Sequence, residues 1–513
     1  MTPSLDRGRL WWAYALVGFV LLGRTVWAEP AVAIMGEGPG ASAAEEGGAP
    51  VADLVLPLVA VGVTVVLAGY GYVRRTRRGR ERTTPGGGRG GAVQVAPVPD
   101  EPDSWALALL AQADDCVRTS REELRFAEAR FGAGGVESAA SVVQAAAAEL
   151  AAAFRMRQLY DEGVPADGTA RRHALAGIIG RCEEAGRRLD AEAPGFDRLR
   201  GLEQRTDDAL GVAEARFREL AGRTGAADTL LGGLLTRYSP SASGTVTGSV
   251  EQAKDRLVFA TTRLNFARQA ADRGENAHAA AHLRAAEGAV AQAGVLVDGV
   301  HRLAAELDEA ARMVPAALTG AEAEIAGADT LRLDVTVGEL RARVLHADAA
   351  LAVVRQEVTS GHPYDPLDVL RRVVRATAPL VTGRTGVLPA AALLTARSAT
   401  AATADFVATH RSAVGGTART RLAEAERLLA TEGAGMVDLL SADALARTAR
   451  DLAEQDVRMQ GNPYAGTAAG HAGGVAGAVL GGVLLGGADD GGPPASFGGP
   501  DTRARRNPAQ RLP

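Results

Sequence analysis

Asp103–Phe131 reads DSWALALLAQADDCVRTSREELRFAEARF, and its spacing decides the fold. Trp105, Leu109, Ala113 and Val117 recur every fourth residue, and Leu124, Ala127 and Phe131 continue at three and four. Both sets lie on one face of a helix, whereas a half-buried strand would repeat at every second residue. Glu123, Arg125 and Glu128 are expected to face away from that stripe. Gly132, Gly134 and Gly135 are expected to end the helix, because glycine readily takes the left-handed conformation that follows a last turn.

The pattern continues outward from this stretch. A second, Ala-rich helix is expected over 136–162, with Leu150, Phe154 and Leu159 on its buried face. A third covers 169–193 and stops before Pro194. Further helices are expected over 201–222 and 226–238. The loop 239–247 comes next, and Ser249 and Gln252 read as a capping box for a helix running to Arg273. Helices over 276–309, 313–328 and 338–358 follow, the last opened by Thr336 and Glu339. At Gly361–Pro366, Asp365 reads as an N-cap and Pro366 as a first helical residue. Helices then resume to about Met459. Residues 103–460 show no strand alternation, no dinucleotide-binding glycine fingerprint and no Walker motif. The expected class is all-α, an array of antiparallel long helices in hairpin or coiled-coil-like pairs.

Composition agrees. The chain has 513 residues, and only 4% are aromatic, so a core must be built from Ala, Leu and Val. It carries 56 basic and 61 acidic residues, net −5, which argues against a nucleic-acid partner. Lys254 is the only lysine, and the two cysteines, Cys116 and Cys182, are too few for a disulfide framework.

The N-terminal hundred residues read as a membrane address. Residues 1–28 have a basic start (Arg7, Arg9), the apolar run Leu10–Leu22 and a small-residue pattern at Val26-Trp27-Ala28, as in a signal peptide or signal anchor. Residues 29–53 form a short acidic linker. Leu54–Val73 (LVLPLVAVGVTVVLAGYGYV) carries no charge and is long enough to span a bilayer. Arg74, Arg75, Arg77, Arg78, Arg80 and Arg82 follow and mark the cytoplasmic side at the membrane interface. Residues 74–102 are read as a basic, Gly/Pro-rich linker, 103–460 as the helical cytoplasmic region, and 461–513 as a disordered Gly-rich tail. The expected location is the cell membrane, single-pass, with the N-terminus outside and the bulk of the chain cytoplasmic.

No catalytic constellation emerges. His278 and His282 have helical metal-ligand spacing, but no third ligand is nearby, and two solvent-facing histidines are the simpler expectation. Cys116 and Cys182 lack a CxxC partner and read as small buried residues. Glu122/Arg125 and Glu214/Arg218 read as surface ion pairs along single helices. No cofactor or metal is expected.

Several stretches together resemble a known family. They are SREELRFAEARFG (120–132), AAAFRMRQLYDE (151–162), IIGRCEEAGRRLDAEAPGFDRLRGLE (178–203), EQAKDRLVFATTRLNFARQA (251–270) and DFVATHRSAVGGTARTRLAEAERLL (405–429), with AGAVLGGVLLGG (476–487) and SFGGPDTRARR (496–506) in the tail. In this order, behind a signal, one span and an arginine cluster, they resemble bacterial TPM-domain membrane proteins with a long cytoplasmic helical region. That resemblance implies an extracytoplasmic α/β module linked to phosphatase activity or assembly. Residues 29–53 are far too few to form one. The leading expectation is therefore a membrane-anchored helical scaffold, with the lipid bilayer and a protein partner or a second copy as its contacts. The alternatives are a phosphatase-related subunit whose activity is lost or supplied by a partner, and a lipid-binding envelope-stress component.

Overall fold

The longest helix organises the rest. In the computed structural model, which describes residues 102–328, 336–380, 386–460 and 496–506, Asn276–Gly327 forms one continuous helix, α6. Ala293, Val297, Val300, Ala304, Leu307, Val314, Ala317 and Ala321 recur at three- to seven-residue intervals along it, and all are buried. Four helices pack most extensively on α6: α4 (Thr206–Arg237), α5 (Ser249–Asp272), α8 (Pro366–Thr377) and α9 (Val387–Thr409). A largely apolar core of Ala, Leu and Val fills the space between them.

A second core lies among α1 (Pro102–Gly135), α2 (Glu137–Asp161) and α3 (Gly168–Arg200). Ala139, Ala146, Ala153, Ala185 and Leu189 lie in it and are almost fully buried. Small side chains let helix axes approach closely, so alanine does here what larger residues do elsewhere. The remaining helices are α7 (Val337–Thr359), α10 (Gly416–Ala430), α11 (Met436–Gln460) and the short α12 (Pro500–Arg506). Among the described residues there is no strand, and no helix is long and apolar enough to cross a membrane. Leu54–Val73 and the arginines from Arg74 to Arg82 lie outside the described residues.

Some expected boundaries move. Helix α3 runs through Pro194 to Arg200, and α6 joins the two helices expected over 276–309 and 313–328 into one that also contains Pro315. Proline costs a helix one hydrogen bond, a loss that burial of Ala193 and Phe196 on one side and Val314 and Ala317 on the other offsets. Residues 206–237 form one helix where two were expected. Helix α1 continues past Gly132, which interrupts it with φ 73° and ψ 169°. Its buried line is Ala106, Leu110, Ala113 and Val117, one residue off the expected stripe at its start. Gly248 enters α5 with φ 78°, and Ser249 is the first helical residue with no capping bond. Two caps match expectation. The Thr336 hydroxyl accepts from the Glu339 amide at 3.2 Å, and the Asp365 carboxylate accepts from the Asp368 amide at 3.0 Å.

The tail expectation fails over 496–506. Phe497 is fully buried in the second core, and Pro500–Arg506 is helical. The rest of 461–513 lies outside the described residues.

Candidate functional site

Glu123 shows how far the site departs from a surface reading. It was expected to face away from the apolar stripe, yet its carboxylate is 1% exposed. Arg284 on α6 donates to Glu123 Oε1 at 3.2 Å, and Arg200 Nε lies 3.6 Å from the same oxygen. Arg200 in turn donates to Glu287 on α6, at 2.8 and 2.6 Å. Burial pushes the Glu123 carboxyl up, but Arg284, Arg200 and Arg506 outweigh it and hold the group below the usual carboxylate range. This cluster joins α1, α3 and α6.

The cluster is the floor of a groove between α1 and α3, and Ser496–Arg506 fills that groove. The Phe497 amide donates to Glu123 Oε2 at 2.6 Å. Its ring stacks on Phe196 with centroids 4.1 Å apart and planes at 20°. The Gly498 amide donates to the Ser120 hydroxyl at 3.2 Å. Asp190 on α3 then accepts from three amides, Gly499 at 2.9 Å, Asp501 at 3.3 Å and Thr502 at 2.8 Å. The first amides of a helix have no partner within it, so Asp190 caps α12 from a neighbouring helix. Pro500, which has no amide hydrogen to satisfy, sits at the first helical position.

Arginines close the far side. Arg503 donates to the Asp115 carbonyl at 2.9 Å and to the Thr119 hydroxyl. Arg506 donates to the Phe497 carbonyl at 2.9 Å and pairs with Asp197. The fit requires glycine on both surfaces. A Cβ at Gly499 would lie 2.2 Å from the Gly186 carbonyl oxygen, and one at Gly186 would lie 2.9 Å from Pro500 Cδ.

Similar charge pairs join other helices. Arg419 on α10 donates to Asp114 at 2.6 Å and Asp115 at 2.8 Å on α1. Arg411 grips Glu122 with two bonds, at 2.8 and 3.0 Å. Arg371 and Arg375 on α8 meet Asp443 on α11 at 3.0 and 2.8 Å. Glu122 was expected to pair with Arg125, and Glu214 with Arg218. They pair instead with Arg411 and Arg268, because tertiary packing brings those guanidinium groups to them.

The other sequence candidates fall elsewhere. His278 Nδ1 lies 3.6 Å from the exposed Glu275 carboxylate, and His282 Nδ1 lies 3.3 Å from Arg263 Nη1 with its ring near Phe266. The two imidazoles engage different neighbours, and no metal-ligand cluster occurs among the described residues. Cys116 and Cys182 are buried, which pushes their thiols up to about 11 and about 12. Such thiols are poor nucleophiles at neutral pH. A cavity of about 140 Å³ between α6 and α9 is lined by Gln252, Arg302, Glu306, Asp405 and His410. Its polar groups largely serve one another: Arg302 pairs with Asp405, and Ser398 donates to Glu306 at 2.6 Å.

The groove was missed in the sequence for two reasons. Ending α3 before Pro194 removes Phe196, Asp197 and Arg200 from the helix that presents them. Reading the tail by its glycine content hides one signal, a lone Phe497 followed by Gly-Gly-Pro-Asp and three arginines.

No family model matches the chain, the TPM domain included, and no solved structure matches it. The chain is similar to the UPF0603 protein Rv2345 of Mycobacterium tuberculosis (strain ATCC 25618 / H37Rv) and to the UPF0603 protein MT2410 of strain CDC 1551 / Oshkosh. Each is 28% identical over 426 residues, covering 77% of this chain and 64% of the relative. The match thus spans less than two thirds of those relatives' length.

Proposed function

We propose that this protein is a membrane-anchored helical scaffold that acts by binding protein segments, without a catalytic site of its own. The observation that carries this reading is the α1–α3 groove. It holds the segment Ser496–Arg506 through an aromatic stack, a row of amide hydrogen bonds and arginine contacts. A surface of that kind serves recognition, since phenylalanine supplies the buried area and main-chain bonds fix register. The anchor rests on the uncharged run Leu54–Val73 and the six arginines from Arg74 to Arg82.

Reporter fusions test the anchor. A reporter active only outside the membrane should work at Gly47 and fail at Gly91, and the opposite pattern would overturn the topology. Turnover assays on the purified full chain test the absence of catalysis. Hydrolysis of a phosphate monoester, with or without added divalent metal, would instead support the phosphatase-related reading that the TPM resemblance implies.

A further inference from the structure

The segment Ser496–Arg506 reaches its groove from far away in sequence. Its hydrogen bonds to α1 and α3 span 309 to 388 residues, and among the described residues its polar contacts outside itself fall on those two helices. We propose that the α1–α3 groove is a recognition site for the sequence Ser-Phe-Gly-Gly-Pro-Asp-Thr-Arg, and that the segment of a second copy of this chain fills it in trans, pairing two chains. The proposal deepens the scaffold reading and rests on it.

Four features make the site selective. Phe196 offers a ring face to one aromatic residue. Gly186 leaves room for a glycine-proline step and for nothing larger. Ser120, Glu123 and Asp190 accept five successive or near-successive amides, which fixes the register of Phe497–Gly499 and of the helical turn that follows. Asp197 and the Asp115 carbonyl receive the arginines Arg506 and Arg503. The ligand this describes is the chain's own C-terminal sequence, and a second copy carries it unchanged.

Geometry permits the exchange. Residues 461–495 separate α11 from the segment, and at about 3.3–3.6 Å per extended residue their reach is on the order of 100 Å. The contacts would be the same whether the segment comes from its own chain or from a neighbour. Exchange of an identical element is a low-cost route to a dimer, because every bond that opens within one chain re-forms with the other.

Two full-length variants carrying different tags separate groove from ligand. Asp190→Ala removes the acceptor of three segment amides and leaves the segment intact. Gly499→Val places side-chain atoms against the Gly186 carbonyl and leaves the groove intact. Co-expressed, the two should co-purify at least about tenfold above either variant paired with itself, because one vacant groove meets one free segment. Excess free SFGGPDTRARR peptide should abolish the pairing. Phe497→Ala serves as a second segment variant, and unchanged helical circular dichroism shows that each variant is folded. Recovery of the mixed pair no higher than that of the self-pairs would overturn the proposal. So would peptide binding to the Gly499→Val chain without pairing of the two variants, a result that leaves the scaffold reading standing. Loss of peptide binding as well would remove the observation on which the scaffold reading rests.

Discussion

The core around α6 and the groove between α1 and α3 are built by opposite means. Around α6, stability comes from apolar side chains repeating along one long helix, and its neighbours contribute their own apolar residues to the same core. At the groove, Glu123, Arg200 and Glu287 are each 2% exposed or less, and they hold three helices together by charge. Hydrophobic burial is non-directional and tolerates small shifts. A buried ion pair does not, because an unmatched charge in a low-dielectric interior is costly. One region is a frame, and the other holds one segment, Ser496–Arg506, in one register.

Substitutions should expose that difference, and the largest effect is expected at the buried charge. Glu123→Ala takes from Arg284 and Arg200 a carboxylate they share and removes the acceptor of the Phe497 amide. Breaking a buried pair on one side costs about 3–5 kcal/mol, so urea denaturation should show a lower midpoint and the segment should undock. The double change Arg200→Met with Glu287→Leu should cost much less, since apolar residues of similar volume leave no unpaired charge. A double change as harmful as Glu123→Ala would contradict the electrostatic account.

In the frame, Leu307→Ala should cost about 3 kcal/mol, within the range for a fully buried leucine. Unlike Glu123→Ala, it should leave the groove occupied. Undocking of the segment in this variant would mean that frame and groove are not separable.

A third, comparable effect depends on pH. Burial holds His410 at about 4, against about 6.5 when unfolded, and its Nδ1 lies 3.1 Å from the Phe406 carbonyl. A histidine depressed in the folded state binds more protons when unfolded. Stability therefore rises with pH through that window and falls on acidification from about 6.5 to about 4. The full span is worth up to about 3 kcal/mol. Denaturation curves of the wild type and of His410→Gln should converge as pH falls. Parallel curves would show that His410 is not the titrating group.

The smallest effect is expected where charge is fully exposed. Glu275→Gln removes a pair with Arg273 on the surface, and surface pairs contribute little. A clear loss of stability there would blur the contrast between exposed and buried charge.

These contrasts explain what the sequence made legible. The helices of the frame were readable because helical periodicity encodes a buried face, as over 276–309 and 313–328, although the break expected between these two is absent from α6. Caps such as Thr336 and Asp365 were readable because both partners lie within one turn. Glu123 was not, because its arginine partners sit on helices 77 and 161 residues away. Within one helix a glutamate flanked by arginines is most simply a solvated residue, and only tertiary packing reverses that. Pro194 misled for a related reason: its local penalty is real, but the burial of Ala193 and Phe196 that offsets it comes from other helices. The tail was read from its average composition, whereas its docking rests on particular residues, Phe497, Gly499 and the arginines among them.

Hydrogen exchange at the C-terminal segment tests the central claim most directly. In the full chain, the amides of Phe497, Gly499 and Thr502 donate to Glu123 and Asp190, and they should exchange far more slowly than in the free peptide SFGGPDTRARR. Asp190→Ala should release the Gly499 and Thr502 amides while protection along α6 stays unchanged. Exchange in the wild-type chain as fast as in the free peptide would show that the groove does not hold the segment, and the recognition site would fall with it.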